Sequence, residues 1–304
     1  MPDERAAQLK RARRSATAGG LLAIVLWSAI VALTITTSEA LGVFTATGIC
    51  YLVGGLAVLA WAALNGQVRA PGARYLVGCG ICFFANVICF TLALVVAERE
   101  QVVQVALVNY LWPTLTLLAA IVLLGERASW LLPLGALVAT IGIVIARSVD
   151  PSPFLADIWA APLPYLLALA GAVAWALYTT LGRRWAPEVG VGGVAMLMAA
   201  CGALLLPFGA LVGEDPVWTT GVFGEMAVRT ACVAVAQIGW DLAMRRGDLV
   251  LVTSASYATP ILSTLFTCAL LDLPVGGQLI AGAALVAGGA VLCRLSMRPA
   301  ASPT

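Results

Sequence analysis

Residues 101–147 and 248–294 are two copies of one segment, and equivalent positions in them are separated by five hydrophobic spans. An odd number of crossings obliges the second copy to enter a membrane upside down, which restricts the chain to folds with an inverted internal symmetry. Laid over each other without a gap at an offset of 147, the two 47-residue windows agree at fourteen positions. These include Tyr110/Tyr257, Pro113/Pro260, Leu124/Leu271, Gly135/Gly282, Gly142/Gly289 and Arg147/Arg294. Chance supplies about a tenth of positions in so biased a composition. The Tyr-x-x-Pro pair, the glycines and the arginines carry the argument, because Ala, Leu and Val coincide cheaply. Trp27 and Trp175 lie 148 apart, each midway along the first span of its half, and extend the symmetry. Inverted repeats with Gly/Pro-interrupted helices in matching places mark secondary transporters, whose substrate sits near the midplane between the halves.

Only 11% of the 304 residues are charged and 62% are apolar, and the mean hydropathy of +0.99 is beyond what a water-soluble surface tolerates. The chain therefore reads as an all-α integral membrane protein. Crossing the hydrocarbon takes roughly 20 apolar residues, and ten such stretches occur, at about 17–37, 41–64, 75–97, 101–124, 130–147, 162–182, 190–212, 223–244, 249–271 and 275–295. Short connections leave no room for a soluble catalytic domain. The expected organisation is a basic cytoplasmic tail at 1–16, a five-helix repeat at 17–147 and an outer linker at 148–161. An inverted five-helix repeat at 162–295 and a cytoplasmic tail at 296–304 complete it.

Cytoplasmic loops retain positive charge. With Arg5, Lys10, Arg11, Arg13 and Arg14 inside, alternation brings fourteen of the seventeen basic residues to one side. Glu39, Glu98, Glu100, Asp150, Asp157, Glu214, Asp215 and Asp272 fall on the other. Both termini are then cytoplasmic, and the net charge of +2 implies no nucleic-acid partner. The basic N-terminus followed by an apolar run also has the shape of a signal peptide, but the run exceeds the 7–15 residues of such a region. Cys79-x-x-Cys82 has redox spacing without a βαβ context, so these thiols read as small packing residues. Gly135, Ala139 and Gly142 in the fifth span, with Gly282, Ala284, Gly288 and Gly289 in the tenth, let backbones approach closely. They mark either a seam within the chain or a dimer face.

No histidine is present, which excludes His-based zinc sites, His triads and histidine proton relays. No metal or cofactor is implied. Ionisable residues inside spans are costly and so are functional candidates; they converge on the eighth span as Glu225, Arg229 and Asp241, joined by Gln237. Glu225 and Arg229 share a helix face at i, i+4 spacing, which favours a structural ion pair. Asp241 fits either a snorkelling interfacial pair with Arg245 or Arg246 or a coupling-proton site.

Pro113 and Pro260 each remove a backbone donor, freeing the carbonyls of Asn109 and Ser256. Freed carbonyls survive at membrane depth only where protein or cavity water meets them. The two kinks therefore read as gates facing one cavity, with Tyr110, Trp112 and Tyr257 presenting aromatic surface there. Trp27, Trp175, Tyr178 and Trp240 lie away from the span ends, where an interfacial belt would not place them, and either pack the core or stack on a ligand. Asn86 either binds a substrate or bridges two helices.

The strings Leu22-Ala23-Ile24-Val25-Leu26-Trp27-Ser28, Ser38-Glu39-Ala40-Leu41-Gly42, Val108-Asn109-Tyr110-Leu111-Trp112-Pro113-Thr114 and Ser256-Tyr257-Ala258-Thr259-Pro260 resemble bacterial aromatic amino acid exporters. Those belong to the EamA-type branch of the drug/metabolite transporter superfamily. The resemblance covers all ten spans and implies export of aromatic and other neutral amino acids across a bacterial inner membrane. By the same likeness Trp27, Tyr110, Trp112, Pro113, Trp175, Tyr257 and Pro260 are pore or cavity residues. The third span departs from the pattern, with Phe84, Asn86 and Val87 where the likeness calls for a Tyr-Glu pair. A neutral, aromatic-lined cavity suits a zwitterion. A carrier of another small metabolite, such as a sugar-phosphate or a drug-like compound, is the alternative, but phosphate recognition favours Arg or Lys within spans and Arg229 alone qualifies. An intramembrane enzyme would need paired carboxylates, and Glu225 and Asp241 are about 24 Å apart along one helix.

Overall fold

The computed structural model describes residues 2–66, 71–98, 101–146, 158–186, 190–270 and 276–298. Arg147, most of the expected outer linker and the end of the C-terminal tail lie outside the described residues. Backbone amides in hydrocarbon must be satisfied within their own segment, so apolar stretches of this length become helices. The helices are α1 (Pro2–Ala29), α2 (Val31–Leu41), α3 (Val43–Leu64) and α4 (Gly80–Val96), the last entered through a π-helical turn at Tyr75–Cys79. There follow α5 (Val102–Asn109), α6 (Trp112–Leu124), α7 (Leu131–Ala146), α8 (Pro162–Trp185) and α9 (Val191–Leu211). The chain continues with α10 (Thr220–Arg246), α11 (Leu249–Ala255), α12 (Thr259–Leu270) and α13 (Gly277–Ser296).

Among the described residues, eight helices are long and apolar enough to cross a membrane, or nine if the bent pair Ala7–Ala29 and Val31–Leu41 is one span. The remaining stretch of the expected ten gives only α7, 16 residues long, which spans about 24 Å against the ~30 Å of hydrocarbon. The first span is bent by 52° at Ile30, whose φ of −90° and ψ of 5° leave the helical region. Ser28 and Thr34 flank that bend and return their hydroxyls to the carbonyls of Ile24 and Ile30, at 2.7 and 3.0 Å. Such back-bonding competes with the i−4 ladder and bends helices.

The chain forms two compact units, each drawn from both sequence halves: Met1–Phe84 with Trp185–Leu249, and Ala85–Arg184 with Val250–Thr304. In the first unit α3 packs antiparallel on α9 through small residues. A Cβ on Gly55 would stand 2.5 Å from the Ala199 nitrogen and 2.8 Å from the Ala195 carbonyl oxygen, while one on Gly48 would meet Leu206 and Gly202. Gly19 of α1 lies against Gly239 of α10 in the same way.

The N-terminus of α3 is capped from elsewhere in the chain. Gly42, at φ +84°, turns the backbone so that the amides of Phe44 and Thr45 donate to the two carboxylate oxygens of Glu214, at 2.9 and 2.8 Å. This supplies acceptors for two of the four orphan donors and places a negative charge at the positive end of the helix. Glu214→Ala should therefore lower stability by about 1–2 kcal/mol, read as thermal unfolding of the detergent-solubilised protein. An unchanged midpoint would show that water replaces the cap.

In the second unit α7 packs antiparallel on α13, which places the Gly/Ala stretches of the fifth and tenth spans in a seam within the chain. Gly135 meets Gly289 and Cys293, and Gly142 meets Gly282 and Val286. Because Gly135 is the sequence equivalent of Gly282, and Gly142 of Gly289, the two contacts are images of each other under the repeat. Tyr257, Leu117, Ile143, Ile261 and Val286 belong to the surrounding core. The strands Arg127–Ala128 and Met297–Arg298 pair antiparallel at one end of this unit.

Candidate functional site

In the first unit the rings of Trp27 on α1 and Trp240 on α10 lie 5.4 Å apart, tilted by 45°. Trp240 is wholly buried and Trp27 half-buried. Gln237 precedes Trp240 by three residues and is also buried, with no hydrogen-bond partner for its amide nitrogen among the described residues. A buried amide donor without an acceptor is costly and is available to a polar ligand.

Asp241 follows on the same helix. Its carboxylate is bonded to Arg245, and both side chains are buried, so the pair does not snorkel to an exposed interface. Arg245 also donates to the carbonyl oxygens of Ala186 at 3.2 Å and Gly190 at 3.5 Å. Its guanidinium carbon stands 5.9 Å from the centre of the Tyr75 ring, a cation–π distance. This cluster ties α10 to the π-helical turn before α4 and to the connection between α8 and α9.

The Glu225–Arg229 ion pair favoured by helical spacing does not form. Glu225 instead accepts a hydrogen bond from the Thr36 hydroxyl, and Arg229 donates to Thr37 at 2.7 Å and Thr47 at 3.3 Å. Spacing puts the two charges on one face of α10, but hydroxyls arriving from α2 and α3 take each side chain separately. The threonines were not singled out from sequence; the run Thr34-x-Thr36-Thr37 inside an apolar span is the signal that points to Thr36 and Thr37, and Thr47 has none. A groove of about 350 Å³ between α3 and α10, lined by Val53, Gly54, Phe223, Thr230 and Ala234 among others, contains none of the expected site residues.

The second unit holds the larger share of the expected residues. Trp112 meets Trp175 edge-on at 6.2 Å, and Trp175 lies 5.4 Å from Tyr178 at 46°. Trp112 is the first residue of α6 and Pro113 the second; proline is tolerated there because no intrahelical acceptor awaits its missing donor. The helix accordingly breaks at Tyr110–Leu111, between α5 and α6. In the other copy the chain tightens into a 3₁₀ turn at Ser256–Ala258 before Pro260. The Ser256 carbonyl expected to be freed there accepts from the Thr259 amide, so the tighter turn satisfies it locally.

Tyr257 is wholly buried and shares a 2.5 Å hydrogen bond with the Thr114 hydroxyl, so in this conformation it packs the core while Tyr110 is half-buried against the same cluster. The two asparagines bridge helices: the Asn86 amide donates to the Gly171 carbonyl at 3.0 Å and that of Asn109 to the Ala168 carbonyl at 3.3 Å. Both acceptors lie on α8, one turn apart. Tyr165 also bonds Gln104, at 2.6 Å, a link with no counterpart in the sequence reading. The seven cysteines whose side chains are described are free thiols.

A broken helix in each repeat, buried aromatic stacks within spans and a symmetric small-residue seam are the features by which this chain can be compared with known proteins. The model of the EamA-like transporter family matches residues 15–148 and again 162–295. The chain is 32% identical over 290 residues to the aromatic amino acid exporter YddG of Salmonella typhimurium, covering 94% of this chain and 98% of that protein. To the proteins of the same name in Escherichia coli and Ancylobacter novellus it is 32% and 33% identical, in each case over 94% of this chain and 99% of the relative. A solved crystal structure superposes with a TM-score of 0.78 at 32% identity, covering 93% of this chain and 98% of that one. With both halves matched by the family model and near-complete coverage of its relatives, this chain belongs to the EamA-like transporter family.

Proposed function

We propose that this protein exports aromatic and other neutral amino acids across a bacterial inner membrane by alternating access of its two inverted repeats. The observation that carries the reading is near-full-length similarity to three proteins named aromatic amino acid exporters. The Trp112–Trp175–Tyr178 stack supports it, since these rings, buried in this conformation, would present edges and faces to an aromatic side chain once the halves open. Ten spans, cytoplasmic termini and gating at the breaks before Pro113 and Pro260 complete the proposal. Uptake of labelled amino acids into proteoliposomes, with and without an imposed pH gradient, tests it. Accumulation of tryptophan and phenylalanine above protein-free vesicles is expected, and none above background would refute the reading.

Trp112→Ala should impair transport of aromatic substrates more than small ones. Loss of one aromatic pair, about 0.5–1.5 kcal/mol, corresponds to roughly a 2- to 12-fold fall in tryptophan transport with alanine little changed. Equal losses for both substrates would make Trp112 a packing residue. Pro113→Ala and Pro260→Ala should each leave the protein folded but slow exchange by straightening a helix that must bend.

A further inference from the structure

We infer that Arg229 is the residue that receives the carboxylate of the transported amino acid, an assignment that rests on the transport reading above. Arg229 is 4% exposed and lies about 14 Å along α10 from its first residue. Its two terminal nitrogens donate to neutral hydroxyls, those of Thr37 and Thr47, and its Nε has no partner among the described residues. No described carboxylate pairs with it; the nearby Glu225 is occupied by Thr36.

A buried guanidinium among neutral partners carries an unmatched charge, and desolvation without a counter-ion is the most costly arrangement of such a group. Its planar fork matches a carboxylate with two parallel hydrogen bonds. Thr37 and Thr47 hold the fork in place without neutralising it, as is needed if the counter-charge arrives with the ligand.

Thr47 and Tyr51 lie one turn apart on α3 and are only partly buried, whereas Arg229 itself is buried.

The test compares binding of tryptophan and tryptophanamide, which share the indole and the amine and differ in the carboxylate, to the purified full chain. A charge-assisted pair is worth about 1.5–3 kcal/mol, so wild-type protein should bind tryptophan about 10- to 150-fold more tightly than the amide. Arg229→Gln should bring tryptophan to the level of the amide while leaving the amide unchanged, and Arg229→Lys should retain part of the preference. Thr37→Val and Thr47→Val keep the charge and loosen its orientation. They should weaken tryptophan severalfold without affecting the amide, and they decide the matter if the arginine variants do not fold.

Equal binding of the two compounds by wild-type protein overturns the assignment alone. So does an equal loss for both in Arg229→Gln or in the threonine variants, which would make the cluster a clamp between helices. Failure of wild-type protein to bind either compound overturns the transport reading and this assignment with it.

Discussion

Asp241→Leu is expected to destabilise the protein by about 3–5 kcal/mol, because it strands the Arg245 guanidinium, buried and paired with that carboxylate, without its counter-charge. The carbonyls of Ala186 and Gly190 still accept from Arg245, but they neutralise nothing. Arg245→Leu strands the Asp241 carboxylate and should be comparably harmful. The double variant Asp241→Leu/Arg245→Leu removes both desolvation costs and is expected to recover most of the loss, since apolar replacement of a whole buried pair is often neutral or better. Thermal unfolding in detergent, followed by loss of the monodisperse chromatographic peak, measures all three. Single variants as stable as wild type, or a double variant worse than the sum of the singles, would show that the pair is not buried as a unit.

Valine at Gly289 should prevent the second unit from folding, and even alanine there should cost about 3 kcal/mol, the upper end of ordinary overpacking. A Cβ on Gly289 would stand 2.5 Å from the Ala139 nitrogen and 2.6 Å from the Gly135 carbonyl oxygen. Both are backbone atoms, so no rotamer change relieves the collision. The helices α7 and α13 would have to separate along the whole seam. The neighbouring residue supplies the control, because a Cβ on Gly288 meets nothing within 4 Å. Gly288→Ala is therefore expected to stabilise the helix by about 0.5–1 kcal/mol through reduced freedom of the unfolded chain. If Gly288→Ala and Gly289→Ala shift the unfolding midpoint alike, the seam is not the contact described. Gly142→Ala, the repeat equivalent of Gly289→Ala, should behave like it, since its Cβ would lie 2.8 Å from both the Gly282 oxygen and the Val286 nitrogen.

Much of this was legible in the chain itself. The alignment of Tyr110, Pro113, Gly135 and Gly142 with Tyr257, Pro260, Gly282 and Gly289 announces a repeat, and broken helices occur where it places the prolines. The reason is local: a proline ring has no N–H wherever it sits, and a run of some twenty apolar residues is too costly to leave in water. The tryptophans were legible as residues out of place for an interfacial belt, though not as pairs.

The charges on α10 read less well. Helical spacing shows that Glu225 and Arg229 share a face, but it cannot show that Thr36, Thr37 and Thr47 compete for them, because those hydroxyls arrive on other helices about 180–190 residues away in sequence. Asp241 chose Arg245 for the opposite reason, its partner lying one turn on along the same helix.

The sequence by itself determined that the chain enters a membrane, that its halves are two copies of one repeat and that a helix breaks before Pro113 and another before Pro260, since each follows from composition or covalent geometry within a few turns of chain. Only the tertiary structure decided that the glycines form an internal seam, that Trp112 meets Trp175 while Trp27 meets Trp240, and that Arg229 is buried among hydroxyls. Those outcomes depend on which side chains close packing brings within about 4–6 Å from elements far apart in sequence, and no local preference encodes that distance.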